Sequence, residues 1–362
     1  MFTHKHYVPV MKWRMGEYQA LMRLADDVKD RVTPLLELPT EAWDFENEQP
    51  AKSIDEHLEK FGSNLFKKWE KRRCFVDSPY YEGDTCMTSG AHHLEHVFDL
   101  VRSAGANAVP VVGVNRHPAY VNAVRAIAAT DVRGVCVRLT VDDFDPSLPK
   151  KVVELLGELR VSATDCDLVI DCAEDVASSS NAQGLVWKAL LDQLPNRDEW
   201  RSLTVSGAAF PAALPSGTFR PHGIAARHDW LGYKALLGIL PLGYRVPTFG
   251  DYVVAHPNTE QMDPRMLDPN AKIKYTIDDA WFIAMGFQVK KYGRGQYAKV
   301  CQTIVNARPI VYDGPAYSHG DDYIDQCANR GGSTGGPSTW PTVGSNRHIT
   351  KVVRDVASLF GV

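Results

Sequence analysis

Short apolar, β-branched runs recur along the chain, and nearly every one ends on a charged or amide residue followed by a turn. The runs occupy residues 7–12, 33–39, 74–78, 109–116, 134–140, 167–172, 202–207 and 249–254. Lys12, Glu37, Asp77, Asn115, Arg116, Arg138 and Asp171 stand at or near their exits. Eight buried strands with polar residues at one end predict a TIM-like (β/α)8 barrel whose site lies at the carboxyl face.

Between the runs, apolar residues fall at helical spacing, which predicts helices over 16–30, 53–72, 93–103, 119–129, 148–159, 181–193 and 230–239. The second of these opens with Ser53 and Glu56, a capping-box pattern. Alternating strand and helix imply parallel strands joined by right-handed crossovers. The strands are apolar almost throughout, as strands covered on both faces are. An open doubly wound sheet has the same signature. Eight candidate strands favour closure, and no G-x-G-x-x-G follows the first strand, which weakens a dinucleotide-binding sheet.

After about residue 256 the rhythm changes. Segments 272–276 and 281–289 predict a β-hairpin with 277–280 as its turn. A helix is expected over 298–305, a glycine-rich loop containing Trp340 over 320–344, and a closing helix over 347–360. The expected organisation is a barrel core over 1–256 and a C-terminal β-hairpin/loop/helix elaboration over 257–362. The elaboration should pack on the barrel within one structural domain, because it has few apolar residues for a core of its own.

Composition narrows the class. The chain has 362 residues, long for a bare barrel of about 250. Hydrophobic residues make up 44% and charged residues 23%, ordinary values for a soluble protein. A formal charge of −4 argues against coating nucleic acid by bulk electrostatics. No apolar stretch approaches the ~18 residues of a membrane span, and the start MFTHKHYVPV lacks the apolar region of a signal peptide. Seven scattered cysteines, without a C-x-x-C pair, predict a reduced, cytoplasmic protein.

The strand exits carry the chemistry. A carboxylate inside an apolar run is costly unless it is paired or binds a cation. Glu37, Asp77 and Asp171 therefore have two readings. In the first they pair with Lys12, Arg116 and Arg138 as a buried ion-pair network. In the second they are catalytic, as metal ligands for Mg²⁺ or Mn²⁺ or as general acid and base, while Lys12, Asn115, Arg116 and Arg138 bind a phosphate-bearing substrate.

Candidates away from the exits are fewer. Arg227, a candidate substrate-binding residue, and His228 precede a helical pattern, with Asp229 as a candidate N-cap. Trp340 could stack on a base or sugar, with Asp322 and His348 completing a lid; the alternative is a capped helix and a packed Trp. His92 and His96 have zinc-like spacing without the Glu of H-E-x-x-H. Ser206 lacks the first Gly of a G-x-S-x-G elbow, since Thr204 stands there, and Cys86 has no identified His partner.

Three motifs together carry a resemblance. Y-V-P-V-M-K-W-R-x-G-E-Y-Q-A-L from Tyr7 to Leu21, P-L-L-E-L-P from Pro34 to Pro39, and T-W-P-T-V-G-S-N-R-H-I from Thr339 to Ile349 resemble the beta protein family of phages and bacterial genomic islands. The resemblance runs nearly end to end. It implies a setting of phage–host conflict and carries no catalytic assignment. It flags Lys12, Trp13, Glu17, Glu37, Trp340, Asn346 and His348. The family pattern has paired histidines near the end, where this chain has Arg347 and His348.

The expected function is action, as a hydrolase, on a nucleotide or a nucleic acid end in phage–host conflict. The alternative is a non-enzymatic module that inhibits or senses a phage or host protein.

Overall fold

In a computed structural model, which describes residues 2–213, 220–258, 263 and 265–361, every one of the eight apolar runs overlaps a strand. Apart from a two-residue pair at Trp43–Asp44 and Gln49–Pro50, the strands in chain order are β1 (Tyr7–Lys12), β2 (Leu35–Glu37), β3 (Arg73–Asp77), β4 (Asn107–Val112), β5 (Val135–Thr140), β6 (Cys166–Asp171), β7 (Ser202–Gly207), β8 (His222–Ala226), β9 (Thr248–Asp251), β10 (Asn270–Thr276) and β11 (Ala280–Gln288). All but β8, β10 and β11 belong to the barrel.

The eight barrel strands close in the order β1, β9, β7, β6, β5, β4, β3, β2, and every neighbouring pair is parallel. Strands buried on both faces must be apolar on both faces, which is why the runs were unbroken in the sequence. Gly250 on β9 shows how tightly the barrel closes. A Cβ there would lie 2.7 Å from the carbonyl oxygen of Val8. At the amino end of the barrel, Asp167 is held by Arg73 at 2.5 Å and Arg201 at 2.8 Å, a pairing at the face that serves stability.

The chain divides into two compact units. The first is the barrel: residues up to Trp13, then Val32–Ala208 and His228–Asp251. The second gathers Arg14–Arg31, Ala209–Arg227 and Tyr252–Val362. It therefore draws on two segments ahead of the tail foreseen over 257–362.

In the second unit, β8, β11 and β10 form an antiparallel sheet, and β10 and β11 are the expected hairpin, paired from Asn270↔Gln288 to Thr276↔Trp281. The unit has an apolar core of its own, in which Ile273, Tyr275 and Phe282 pack with Cys301, Ile304, Ile324 and Val343. The tail's composition had not suggested one. The glycine-rich loop is shorter than expected, 330–338 rather than 320–344, because helices run through His319–Asn329 and Thr339–Phe360. Burial of their faces overrides weak propensity. Close approach explains one of the glycines: a Cβ on Gly320 would lie 2.5 Å from the carbonyl oxygen of Val343.

Two predicted helices are broken. Segment 16–30 forms Met15–Met22 and Asp26–Lys29, and segment 53–72 forms Ile54–Leu58 and Phe61–Trp69. The capping box at Ser53 forms as read, with Ser53 Oγ accepting from the Glu56 amide at 3.3 Å and the Ser53 amide donating to Glu56 Oε2 at 3.0 Å. Among the described residues all seven cysteines are free thiols, Cys86 alone exposed. No helix among them is long and apolar enough to cross a membrane.

Candidate functional site at the barrel mouth

The strand exits do converge, and Arg138 is their centre. Its Nη2 lies 2.8 Å from Glu37 Oε1, its Nη1 2.8 Å from Asp77 Oδ2, and both Nε and Nη2 reach Asp171 Oδ2, at 2.9 and 2.6 Å. The three carboxylates come from β2, β3 and β6, and the guanidinium from β5. Its forked donors let one side chain satisfy three acids.

Register aligns the first three strand exits. Lys12, Glu37 and Asp77 are Cα partners across β1, β2 and β3. Asp171 partners Ser206 on β7. The Oγ of Ser206, and that of Thr204 two residues earlier on the same face, are buried without a hydrogen-bond partner among the described residues.

Arg116, in the loop after β4, donates through Nη2 to both oxygens of Asp77, at 2.8 and 3.0 Å. Its side chain is 24% exposed against 9% for Arg138, so Arg116 is the guanidinium a solute can reach. Burial pushes the Asp77 carboxyl up, and Arg116 and Arg138 more than offset this, holding it below its ordinary value. Asp77 in turn raises Arg116.

Two tyrosines that sequence reasoning missed complete the mouth. Tyr80 Oη donates to Glu37 Oε2 at 2.6 Å, and its ring lies 5.0 Å beneath the Lys12 ammonium. Burial and the Glu37 charge push its phenol well up, so it stays a proton donor. Tyr120 Oη lies 3.3 Å from Asp77 Oδ1, with its ring 5.0 Å from the Arg116 guanidinium. The signal for Tyr80 was its place three residues beyond the Asp77 exit. Tyr120 sits in a helix and offered none.

The other predicted residues lie elsewhere. Asn115 bonds Asp143 at 2.6 Å in the loop after β5 and leaves the network. Arg227, Trp340 and His348 belong to the second unit. Arg227 is fully buried against the carbonyl oxygen of Asp278 at 2.9 Å and Asp355 at 3.3 Å. Trp340 lies within a helix rather than a loop, stacked on Tyr297 at 4.3 Å. His348 Nδ1 is 2.9 Å from Thr276 Oγ1 in the unit's interior. Asp229 falls inside the first turn of the helix His228–Ile239 rather than ahead of it. His92 caps the helix His93–Ala104, its Nδ1 accepting from the Leu94 amide at 3.2 Å. Among the described residues no group of three or more His, Cys, Asp or Glu is placed to hold a metal ion. The cation that Glu37, Asp77 and Asp171 share is Arg138.

Fold and site together define an α/β-barrel protein with a charge-balanced centre at the carboxyl face. A family model described as Beta protein matches residues 7–354, and the chain belongs to that family. No curated protein matches it. Among solved structures, one similar chain is the carboxyl transferase domain of Rhizobium etli pyruvate carboxylase with pyruvate and biocytin. It is 11% identical at a TM-score of 0.31, with 68% of this chain and 40% of that chain covered. The match thus spans less than half of that protein's length.

Proposed function

We propose that the barrel mouth binds and acts on a phosphate-containing substrate, a nucleotide or a nucleic acid end, and that it does so in phage–host conflict. The observation that carries this is the gathering of three carboxylates, a second guanidinium and a phenol around Arg138 at the face where barrels place their sites. Such a cluster costs stability relative to an apolar plug of the same volume, which favours a functional reason for it. The orphaned hydroxyls of Ser206 and Thr204 add polar demand beside it. The conflict setting rests on family membership and the resemblance above.

In this proposal Arg116 and Lys12 take the phosphate, and Arg138 keeps the acids in place. Glu37, with Tyr80 donating to it, is the acid–base group, and Asp77 and Asp171 are its charged surroundings. A Mg²⁺ or Mn²⁺ ion, where one takes part, replaces the Arg138 guanidinium as the shared cation of the three carboxylates.

The test is thermal melting and equilibrium binding with inorganic phosphate, mononucleotides and a 5′-phosphorylated oligonucleotide, with and without each metal. A ligand at about 100 times its Kd adds about 2.7 kcal/mol of stability. The ligand-induced shift should vanish in Arg116→Gln, measured against that variant's own ligand-free melt. Turnover of the ligand that binds should be lost in Glu37→Gln.

Absence of any shift overturns the proposal in favour of a second reading, a non-enzymatic module for a phage or host protein. What favours that reading is the closure of the charges: Glu37, Asp77 and Asp171 are matched in number by Lys12, Arg116 and Arg138.

A further inference from the structure

The second unit contains a cavity of about 470 Å³ that the barrel site does not use. This is the size of a small-molecule pocket. Its walls are apolar and aromatic: Phe210, Val254, Val289, Tyr297 and Trp340 line it, with prolines 337 and 341. Two of the rings are fixed, because Tyr297 and Trp340 are stacked nearly parallel, at 11°.

One strand carries a lysine into this apolar wall. Lys274, on β10, donates from Nζ to the carbonyl oxygen of Val254, and Nζ lies 3.8 Å from the centre of the Phe210 ring. A neutral carbonyl and a ring face hold an ammonium in place without cancelling its charge. The other charged or titratable groups that border the cavity are Lys272, Arg294, His256, Glu17 and the Tyr297 phenol. Basic groups outnumber the single acid, so the lining favours an anion.

We propose that this cavity binds a small apolar carboxylate, with the rings enclosing its hydrocarbon part and Lys274 as its counter-ion. The proposal stands apart from the barrel reading, because every residue in it belongs to the second unit. Burial pushes the Lys274 amine down to about 7, with Lys272 adding to the effect and Glu17 opposing it. A carboxylate beside it favours the ammonium again. Binding above neutral pH therefore takes up a proton, and affinity falls as pH rises.

The probes are 1-naphthoate and octanoate, each paired with its neutral amide, titrated calorimetrically into the full-length protein. At least one carboxylate should bind, and bind about tenfold or more tighter than its amide. Its affinity should fall between about pH 6 and about pH 9, with proton uptake shown by buffers of different ionisation enthalpy. Lys274→Met should lose the preference for the carboxylate and the proton uptake while still binding the amide. Persistence of the proton uptake in Lys274→Met would assign it to another group and overturn the role of Lys274. Failure of both carboxylates to bind the wild type, or equal binding of acid and amide, overturns the proposal. These wild-type measurements decide it even where the variant does not fold.

Discussion

Arg138 meets Asp171 through two of its nitrogens on a single carboxylate oxygen, Nε at 2.9 Å and Nη2 at 2.6 Å, between adjacent strands of the barrel. The same guanidinium also holds Glu37 and Asp77. One side chain thereby links acids from three strands that are far apart in sequence.

Replacing Arg138 with Met leaves three buried carboxylates without their common cation. The expected loss at neutral pH is about 3–5 kcal/mol in urea denaturation. Protonating the acids relieves the repulsion, so the deficit should shrink toward about pH 4. A variant as stable as the wild type at pH 7 would show that the network does not hold the barrel mouth.

Asp77 contributes to acid sensitivity. Its folded pKa lies below the ordinary value, so its contribution is fully present above the unfolded pKa of about 3.9. That contribution is lost as pH falls through the lower folded value. Asp77→Asn should be less stable than the wild type near neutrality, and the gap should close below about pH 4. An unchanged gap across an acid series would remove Asp77 as the source.

His93 acts in the opposite range. It is buried, with Nε2 2.8 Å from Ser78 Oγ and Nδ1 2.9 Å from the Thr85 carbonyl oxygen. Burial pushes it down to about 4. The unfolded chain takes up the proton first, so stability falls as pH drops from about 6.5 toward 4, by about 1.4 kcal/mol per unit at most. His93→Gln should flatten this slope, and the His93 ring should stay neutral at pH 5.5 by NMR.

Gly62 permits the contact between the helices Phe61–Trp69 and His93–Ala104. A Cβ there would lie 2.1 Å from the carbonyl oxygen of Leu100, which is backbone and cannot swing away. Gly62→Ala should lower stability by about 2 kcal/mol or more despite its better helix propensity. A melting temperature at or above the wild type's would mean that the two helices can separate at little cost.

The barrel was legible because its strands are covered on both faces. All eight apolar runs overlap a strand, and β1 and β7 have the bounds read from sequence. The exit set was legible for the same reason, since Glu37 and Asp171 interrupt apolar runs. Tyr120 was not legible, because a tyrosine in a helix is ordinary until its hydroxyl is placed beside Asp77. The stretch around Trp340 misled for the converse reason. Glycine and serine weigh toward a loop, and only burial against the rest of its unit makes residues 339–360 a helix.

By itself the sequence determined the periodicities: eight buried strands, the helices between them, and which strands end in charge. These are local, because burial on both faces demands an unbroken apolar run. The tertiary structure alone decided the pairing. Arg138 could have met a substrate phosphate or any of several acids, and barrel closure brought it to Glu37, Asp77 and Asp171 at once. It likewise drew residues 14–31 and 209–227 into the second unit, and set Lys274 in the wall of an apolar cavity. Such groupings depend on which distant segments meet, and hydrophobic pattern specifies the face that is buried, not the side chain that lies across it.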